Sequence, residues 1–245
     1  MLKIAGLTES KIESLISDLY PRGSSLKLTT LAYPGQIEIH LESCSKVNQT
    51  QADKRIRHLE EKILKRLKGN VFSTSRQELE EVVGKLLRQG KKTLAVAESS
   101  TGGLLSHRLT NIPGSSDYFL EGVVTYSNTA KTRLLGVEKT IIEKYGAVSE
   151  PVAQAMASGI RERAQADYAL AITGIAGPSG GTPEKPVGLV FTALAWEGGT
   201  QVQKNHFLGK REQIKFQSSQ KALDMLRGHL LKNLEGGSKI VKETR

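Results

Sequence analysis

The chain has 245 residues, of which 38% are hydrophobic and 24% are charged, a composition typical of a soluble globular protein with one large or two smaller domains. Its apolar runs are too short to cross a membrane, its N-terminus has no signal-peptide pattern, and its one cysteine, Cys44, excludes an intramolecular disulfide. The net charge of +10 lies mainly in the two ends of the chain and aromatic residues make up only 5%, so we expect a cytoplasmic protein without specific nucleic-acid binding.

Residues 1–72 have the pattern of a small α+β domain. A short N-terminal strand precedes a helix that Thr8 caps and that Pro21 and Gly23 end. Two alternating strands then flank a Pro-Gly turn, and an amphipathic helix covers residues 51–67. The order βαββα resembles that of a KH-type module, but the Gly-x-x-Gly loop through which such modules bind RNA is absent. We therefore predict a structural or interaction domain.

The polar segment 70–76 is predicted to separate this domain from a larger one at residues 75–233. There, a helix capped by Ser75 leads to an apolar strand at 94–97, which runs into the small-residue turn 98–103 before the next helix. Such a turn presents hydroxyl and N–H groups at a helix N-terminus, where anions bind well, and its glycines let a ligand approach the backbone. A purely structural role, in which the hydroxyls only cap the helix, stays open.

Two further strands of the larger domain end in polar loops. The strand 119–126 runs into the segment 127–131, and the buried strand 168–173 runs into a third, glycine-rich loop. Strands that alternate with helices predict a layered α/β/α fold with a mainly parallel sheet, here with an antiparallel margin from a hairpin across Gly198-Gly199. Ligands bind at the carboxyl ends of such strands, so we expect the three loops to converge. The segment 234–245 is predicted to be a flexible tail.

A serine nucleophile in these loops needs a base. None of the five histidines lies in the three loops, so the pattern does not support a Ser-His-Asp arrangement. No group of His, Cys or carboxylate residues has metal-ligand spacing, and neither a metal nor another cofactor is predicted. The bases near the loops are Lys131 and Lys185, and a lysine acts as a base when burial lowers its pKa. Lys131 is alternatively a solvated helix residue, and Lys185 is better suited to contact a phosphate or carboxylate.

Four segments of the larger domain resemble the CinA C-terminal domain, which is also the nicotinamide-nucleotide amidohydrolase family. They are Ala97–Gly103, Val124–Lys131, Gly146–Glu150 and Thr173–Gly188, and the resemblance covers residues 75–233. Residues 1–72 resemble the KH-like middle segment of longer CinA proteins, which carry a molybdopterin-binding-like domain before it. The chain is therefore expected to be a natural short form or a fragment of such a protein.

The resemblance implies hydrolysis of the carboxamide of nicotinamide mononucleotide to nicotinate mononucleotide and ammonia, without a metal, in pyridine nucleotide recycling. It makes Ser99 the nucleophile, Lys131 the base and Tyr126 an orienting hydroxyl. Serine at position 100 departs from the family, which usually has cysteine there, and this puts the role of the position in doubt. The expected substrate contacts are Ser100, Thr101, Gly102, Gly103, Ser115, Ser116, Asn128, Thr173, Gly174, Gly177 and Lys185. Which loop holds the phosphate stays open.

A different class of function competes with the enzyme. The chain is alternatively a binding module that senses nucleotides or partners in a competence or DNA-repair setting, and ammonia release from nicotinamide mononucleotide distinguishes the two. The expected partners are this nucleotide and, from the family resemblance, further copies of the chain in a dimer or larger homo-oligomer. Neither a membrane nor a specific nucleic acid is an expected partner.

Overall fold

The computed structural model describes residues 1–20, 26–43 and 49–242. The chain divides into two compact units, Met1–Leu79 and Glu80–Arg245. None of the described helices combines the length and the hydrophobicity that crossing a bilayer requires.

The smaller unit is built on an antiparallel sheet with the strand order β2-β3-β1-β4. Its described elements are β1 Leu2–Ile4, α1 Glu9–Ile16, β2 Leu26–Tyr33, β3 Gln36–Ser43, α2 Gln49–Leu67 and β4 Val71–Ser73. Thr8 caps α1 as predicted, because its side chain accepts a hydrogen bond from the N–H of Lys11. Pro21, Gly23 and Cys44 lie outside the described residues. Apolar side chains of the sheet and both helices form one core.

Strand β4 is missing from the sequence prediction, which gives its residues to a polar linker. Lys3 of β1 pairs with Ser73, and Ile4 pairs with Val71, so the segment closes one edge of the small sheet. A three-residue strand whose one large buried side chain is Phe72 is too short to show an alternating pattern. The order of the unit is therefore βαββαβ.

The larger unit is a layered α/β domain, which confirms the predicted fold class. Its elements are α3 Leu79–Gly90, β5 Leu94–Glu98, α4 Leu104–Thr110, β6 Phe119–Val124, α5 Asn128–Leu135, α6 Lys139–Tyr145, α7 Glu150–Ala164, β7 Tyr168–Gly174, β8 Leu189–Trp196, β9 Gly199–His206 and α8 Arg211–Lys242. The sheet has the order β6-β5-β7-β8-β9. Strand β5 runs parallel to β6 and β7, whereas β8 and β9 add antiparallel pairings, so the sheet is mixed.

Helices cover both faces of this sheet. Successive side chains of a strand point to opposite faces, and the odd-numbered residues of β5, β7 and β8 share a core cluster with α7. Many of these strand residues are alanines, such as Ala97, Ala171 and Ala193, which let α7 lie close to the sheet. Helices α4 and α8 contact the same sheet outside that cluster, so they cover the opposite face.

The ends of two helices differ from the sequence prediction. Helix α3 begins at Leu79, four residues after its predicted cap Ser75. Helix α8 continues to Lys242, so the predicted tail at 234–245 is helical over its described part, and residues 243–245 lie outside the description. The Gly-Gly pair in this segment lowers helix propensity by only about 1 kcal/mol per residue, which the good helix formers around it offset.

Candidate active site

The loops after β5, β6 and β7 meet at one edge of the sheet, as the sequence predicts. The three strands are parallel and in register, since Glu98 at the end of β5 pairs with Val124 on one side and Ile172 on the other. The loops surround a cavity of about 300 Å³, which is the size of a small-molecule site. Its lining residues are Ser99, Ser100, Tyr126, Asn128, Lys131, Ala147, Val148, Thr173, Gly174, Ile175, Ala176, Gly177, Ser179, Gly180 and Arg211.

The side chains of Ser99 and Lys131 contact each other in the wall of this cavity. Ser99 directly follows β5, and its N–H donates to the carbonyl of Ile172, which fixes the backbone there. Lys131 lies on α5, which begins after the capping residue Ser127. Its Nζ donates to Ser99 Oγ at 3.1 Å and to the carbonyl oxygen of Thr125 at 2.8 Å. The geometry is that of a hydroxyl with an adjacent base.

The environment of Lys131 favours its neutral form. Its side chain is only 1% exposed, and among the described residues no carboxylate forms an ion pair with it. Desolvation by burial lowers the pKa of Lys131 below its ordinary value of 10.5. A lysine with a lowered pKa has a larger neutral fraction at a given pH, and only the neutral amine takes up a proton.

The N-terminus of α4 is occupied by a carboxylate of the chain itself. Glu98 is fully buried, and it accepts hydrogen bonds from the N–H groups of Gly103, Leu105 and Ser106 and from the hydroxyl of Ser106. These N–H groups are therefore already used by Glu98, so they are not free to hold a substrate anion. Sequence reasoning passed over Glu98, although an acidic residue directly before a small-residue turn and a helix is a recognisable capping signal.

Ser100 and Thr101 carry polar groups that are still available. Their hydroxyl oxygens are buried without a hydrogen-bond partner among the described residues, and Ser100 lines the cavity whereas Thr101 does not. Within the same part of the chain, their N–H groups also donate to no backbone acceptor. An N–H directly after a nucleophile is a common donor to a developing oxyanion. Gly102 and Gly103 have φ of 62° and 94°; they shape the turn and do not line the cavity.

Tyr126 and Arg211 meet at the mouth of the cavity. The Tyr126 side chain is 65% exposed, and its hydroxyl accepts a hydrogen bond of 3.4 Å from Arg211 Nη2. This hydroxyl therefore contacts Arg211 in the structure, and the orienting role that the family resemblance implies for it stays a prediction. Arg211 Nη1 donates to the carbonyl of Gly177 at 2.7 Å. Sequence reasoning did not find Arg211, because it begins α8, beyond the three loops.

The third loop supplies a polar rim. Thr173, Gly174 and Gly177 line the cavity as predicted, and so does Asn128 at the start of α5. The hydroxyl of Thr173 donates to the carbonyl of Ala147, which ties β7 to the segment before α7. Lys185 is not in the lining, because its Nζ donates to the carbonyls of Tyr145 and Val148 and so braces that same segment.

Ser115 and Ser116 lie far from this cavity along the sheet. They form a 3₁₀ turn just before β6, where Phe119 pairs with Leu94 at the start of β5. This is the amino end of the parallel strands, whereas the cavity lies at their carboxyl end, so the structure does not bring these two predicted substrate contacts to the cavity. Among the described residues, no group of three or more His, Cys, Asp or Glu is arranged to bind a metal ion.

Comparison with known families accounts for both units. The family model described as the CinA C-terminal domain matches residues 76–230, and that of the damage-inducible protein CinA KH domain matches residues 1–73. A putative competence-damage inducible protein of Moorella thermoacetica is 49% identical over 226 residues, 92% of this chain and 54% of that protein. A CinA-like protein of Koribacter versatilis is 45% identical over 94% of this chain and 55% of its own. The chain thus spans about half the length of these relatives.

Solved structures give the same result for the fold. A competence-damaged protein (CinA) superfamily protein from Klebsiella pneumoniae matches with a TM-score of 0.61 and 34% identity, over 64% of this chain and 99% of that one. A competence/damage inducible protein from Agrobacterium tumefaciens matches with a TM-score of 0.58 and 38% identity, over 63% of this chain and 96% of its own.

Proposed function

This chain belongs to the CinA family, and from that premise we propose that its larger unit hydrolyses nicotinamide mononucleotide to nicotinate mononucleotide and ammonia. The observation that carries the proposal is the hydrogen bond of 3.1 Å between buried Lys131 Nζ and Ser99 Oγ in the wall of the cavity. A hydroxyl beside a desolvated amine is a nucleophile with its base, and a carboxamide is a substrate that needs both.

The first half of the proposed reaction forms an ester. Neutral Lys131 takes the proton of the Ser99 hydroxyl while Oγ attacks the carboxamide carbon, which gives a tetrahedral intermediate with a negatively charged oxygen. Lys131, now an ammonium, donates that proton to the amide nitrogen. The carbon–nitrogen bond then breaks, ammonia leaves, and the nicotinoyl group is held as an ester on Ser99.

The second half of the reaction restores the enzyme. Lys131, neutral again, takes a proton from a water molecule, whose oxygen attacks the ester carbon. The carbon–oxygen bond to Ser99 breaks, Lys131 returns the proton to Oγ, and nicotinate mononucleotide leaves as the carboxylic acid, which then loses the second proton of the water molecule to solvent and becomes a carboxylate. One group thus acts as base and as acid in each half of the cycle.

The negative charge that develops in both halves needs hydrogen-bond donors. The N–H groups of Ser100 and Thr101, without backbone acceptors in the described part of the chain, follow directly after the nucleophile. They are fixed by the turn that Glu98 anchors through three N–H groups, so they need little rearrangement when the oxyanion forms. Donors that are fixed in advance in this way stabilise the transition state of acyl transfer strongly, because the protein does not have to reorganise around the new charge.

The test is ammonia release from nicotinamide mononucleotide by the purified chain and by three variants. We expect Ser99→Ala to lose turnover and still bind the nucleotide, because only the attacking atom is removed. Lys131→Ala should lower kcat by about 10²–10⁴-fold, the usual contribution of general acid–base help. Lys131→Arg should not restore it, because arginine stays protonated.

The matched control is Lys139→Ala, which removes an exposed lysine at the start of α6, outside the cavity lining, and should retain full turnover. No ammonia release from the unmodified chain, together with binding of the nucleotide, would favour a non-catalytic binding module instead. An active Ser99→Ala variant paired with an inactive Ser100→Ala variant would move the nucleophile to the next residue and contradict the assignment.

A further inference from the structure

The charges that line the cavity are all of one sign. Two of its lining residues, Lys131 and Arg211, are basic, and none of the fifteen is Asp or Glu. The nearest carboxylate in sequence, that of Glu98, is taken up by the N–H groups at the start of α4 and does not belong to the lining. A concave site with a cationic arginine and no carboxylate attracts an anionic ligand.

The two basic residues differ in how they are held. Lys131 is buried, its pKa is lowered, and it is already used as the base in the proposed reaction. Arg211 is exposed at the cavity mouth, and within the described residues it forms no ion pair with a carboxylate. Its two hydrogen bonds go to neutral acceptors, the carbonyl of Gly177 and the hydroxyl of Tyr126. The full positive charge of Arg211 is therefore available to a ligand.

Tyr126 spans the distance between the two basic groups. Its backbone carbonyl oxygen lies 3.5 Å from Lys131 Nζ, and its hydroxyl lies 3.4 Å from Arg211 Nη2. The two basic groups are thus separated by no more than one tyrosine residue and a hydrogen bond at each end. In a pyridine mononucleotide, one aromatic ring and one ribose separate the carboxamide from the phosphate, which is a comparable span.

We propose that Arg211 binds the phosphate monoester of the substrate, while the carboxamide lies at Ser99 and Lys131. The planar guanidinium binds a phosphate through two parallel hydrogen bonds, and the charge makes these bonds stronger than those between neutral groups. This inference rests on the proposed function for the identity of the substrate, and it adds the group that distinguishes a mononucleotide from its nucleoside. Arg211 acts in binding and takes no part in proton transfer.

The experiment compares two substrates, nicotinamide mononucleotide and the corresponding nucleoside without phosphate, in the full chain and in Arg211→Met. We expect Arg211→Met to raise KM for the mononucleotide about 10- to 100-fold, the effect of losing hydrogen bonds to a charged group, with kcat retained. For the nucleoside, KM and kcat of Arg211→Met should stay within about twofold of the full chain, because the nucleoside has no phosphate for Arg211 to bind. Arg211→Lys keeps the charge and loses the planar guanidinium. Its KM for the mononucleotide should lie between the values of the full chain and of Arg211→Met.

A matched control and a binding measurement separate the possible failures. Lys210→Met removes an equal charge one residue earlier, outside the lining, and should leave both substrates unchanged. Calorimetry on Ser99→Ala measures mononucleotide affinity without turnover, and adding Arg211→Met to it should weaken that affinity. Retained Arg211-dependent binding without hydrolysis by the full chain would overturn the proposed function and leave this inference standing.

Two results would overturn the inference itself. If Arg211 has only a structural role and holds the loop at Gly177, Arg211→Met would raise KM equally for the mononucleotide and the nucleoside. Undiminished mononucleotide affinity in Arg211→Met would exclude the contact altogether. If that variant does not fold, Arg211→Lys still decides the question, because the ratio of KM values for the two substrates must change under this proposal and stay constant under the structural role.

Discussion

At the scale of single residues, the enclosure of Lys131 by protein determines how the proposed reaction depends on pH. Only the neutral amine accepts the proton of Ser99, and desolvation places the pKa of that amine below 10.5. We therefore expect kcat/KM to rise with pH through the lowered pKa and to level off below pH 10.5. A pH–rate profile from initial velocities of ammonia release measures this, and a rising limb centred at the pKa of a solvated lysine would contradict it.

Also at this scale, sequence reasoning found residues that follow strands and missed residues that depend on tertiary structure. Ser99 and Lys131 lie in the polar segments that follow predicted strands, and family resemblance assigned their roles. Arg211 lies 80 residues after Lys131, and only the folding of the β8–β9 hairpin and α8 brings it to the cavity. Ser115 and Ser116 have hydroxyl groups suited to binding a substrate, but they lie before β6, at the opposite end of the strands from the cavity. The residue types alone do not show at which end of a strand they lie.

At the scale of secondary-structure elements, the position of α5, and with it Lys131, depends on its close packing against α7. A Cβ at Gly159 of α7 would lie 1.9 Å from the carbonyl oxygen of Leu135, the last residue of α5. Gly159→Ala must therefore push the two helices apart, and we expect it to lower the free energy of unfolding by about 1–3 kcal/mol, the usual cost of overpacking. The rate of ammonia release should also fall, because a shift of α5 moves Lys131 away from Ser99.

Gly228 provides the matched control for this prediction. It lies in α8, and a Cβ there meets nothing within 4 Å, so Gly228→Ala should raise the free energy of unfolding by about 0.5–1 kcal/mol through helix propensity alone. Urea denaturation of both variants at one pH measures the difference. Equal effects of the two substitutions would show that the contact between α5 and α7 does not constrain the fold.

The strands show which elements can be predicted from a local sequence pattern. The β8–β9 hairpin was predictable, because a Gly-Gly signal separates an apolar strand from an alternating one. The observed register pairs Trp196 with Gly199. Strand β4 was not, because its three residues become a strand only when β1, at the other end of the unit, pairs with them. Local pattern thus identifies elements that alternate over several residues, and long-range pairing decides the short ones.

At the scale of the whole molecule, every residue that lines the cavity belongs to the larger unit. The chain also covers 99% of a solved CinA-superfamily chain with 64% of its own length, about the share of the larger unit. The larger unit therefore has solved counterparts of its own length, and it contributes every residue of the cavity lining. We therefore expect the smaller unit to take no part in the chemical step.

This leads to a prediction for a shortened chain that begins at Arg76, before α3, and retains residues 76–245. We expect it to unfold cooperatively and to release ammonia from nicotinamide mononucleotide with kcat within about threefold of the full chain, since no lining residue is removed. Circular dichroism melting and the ammonia assay measure the two properties, and Ser99→Ala in the same shortened chain is the negative control. A folded but inactive fragment would mean that residues 1–75 complete the site.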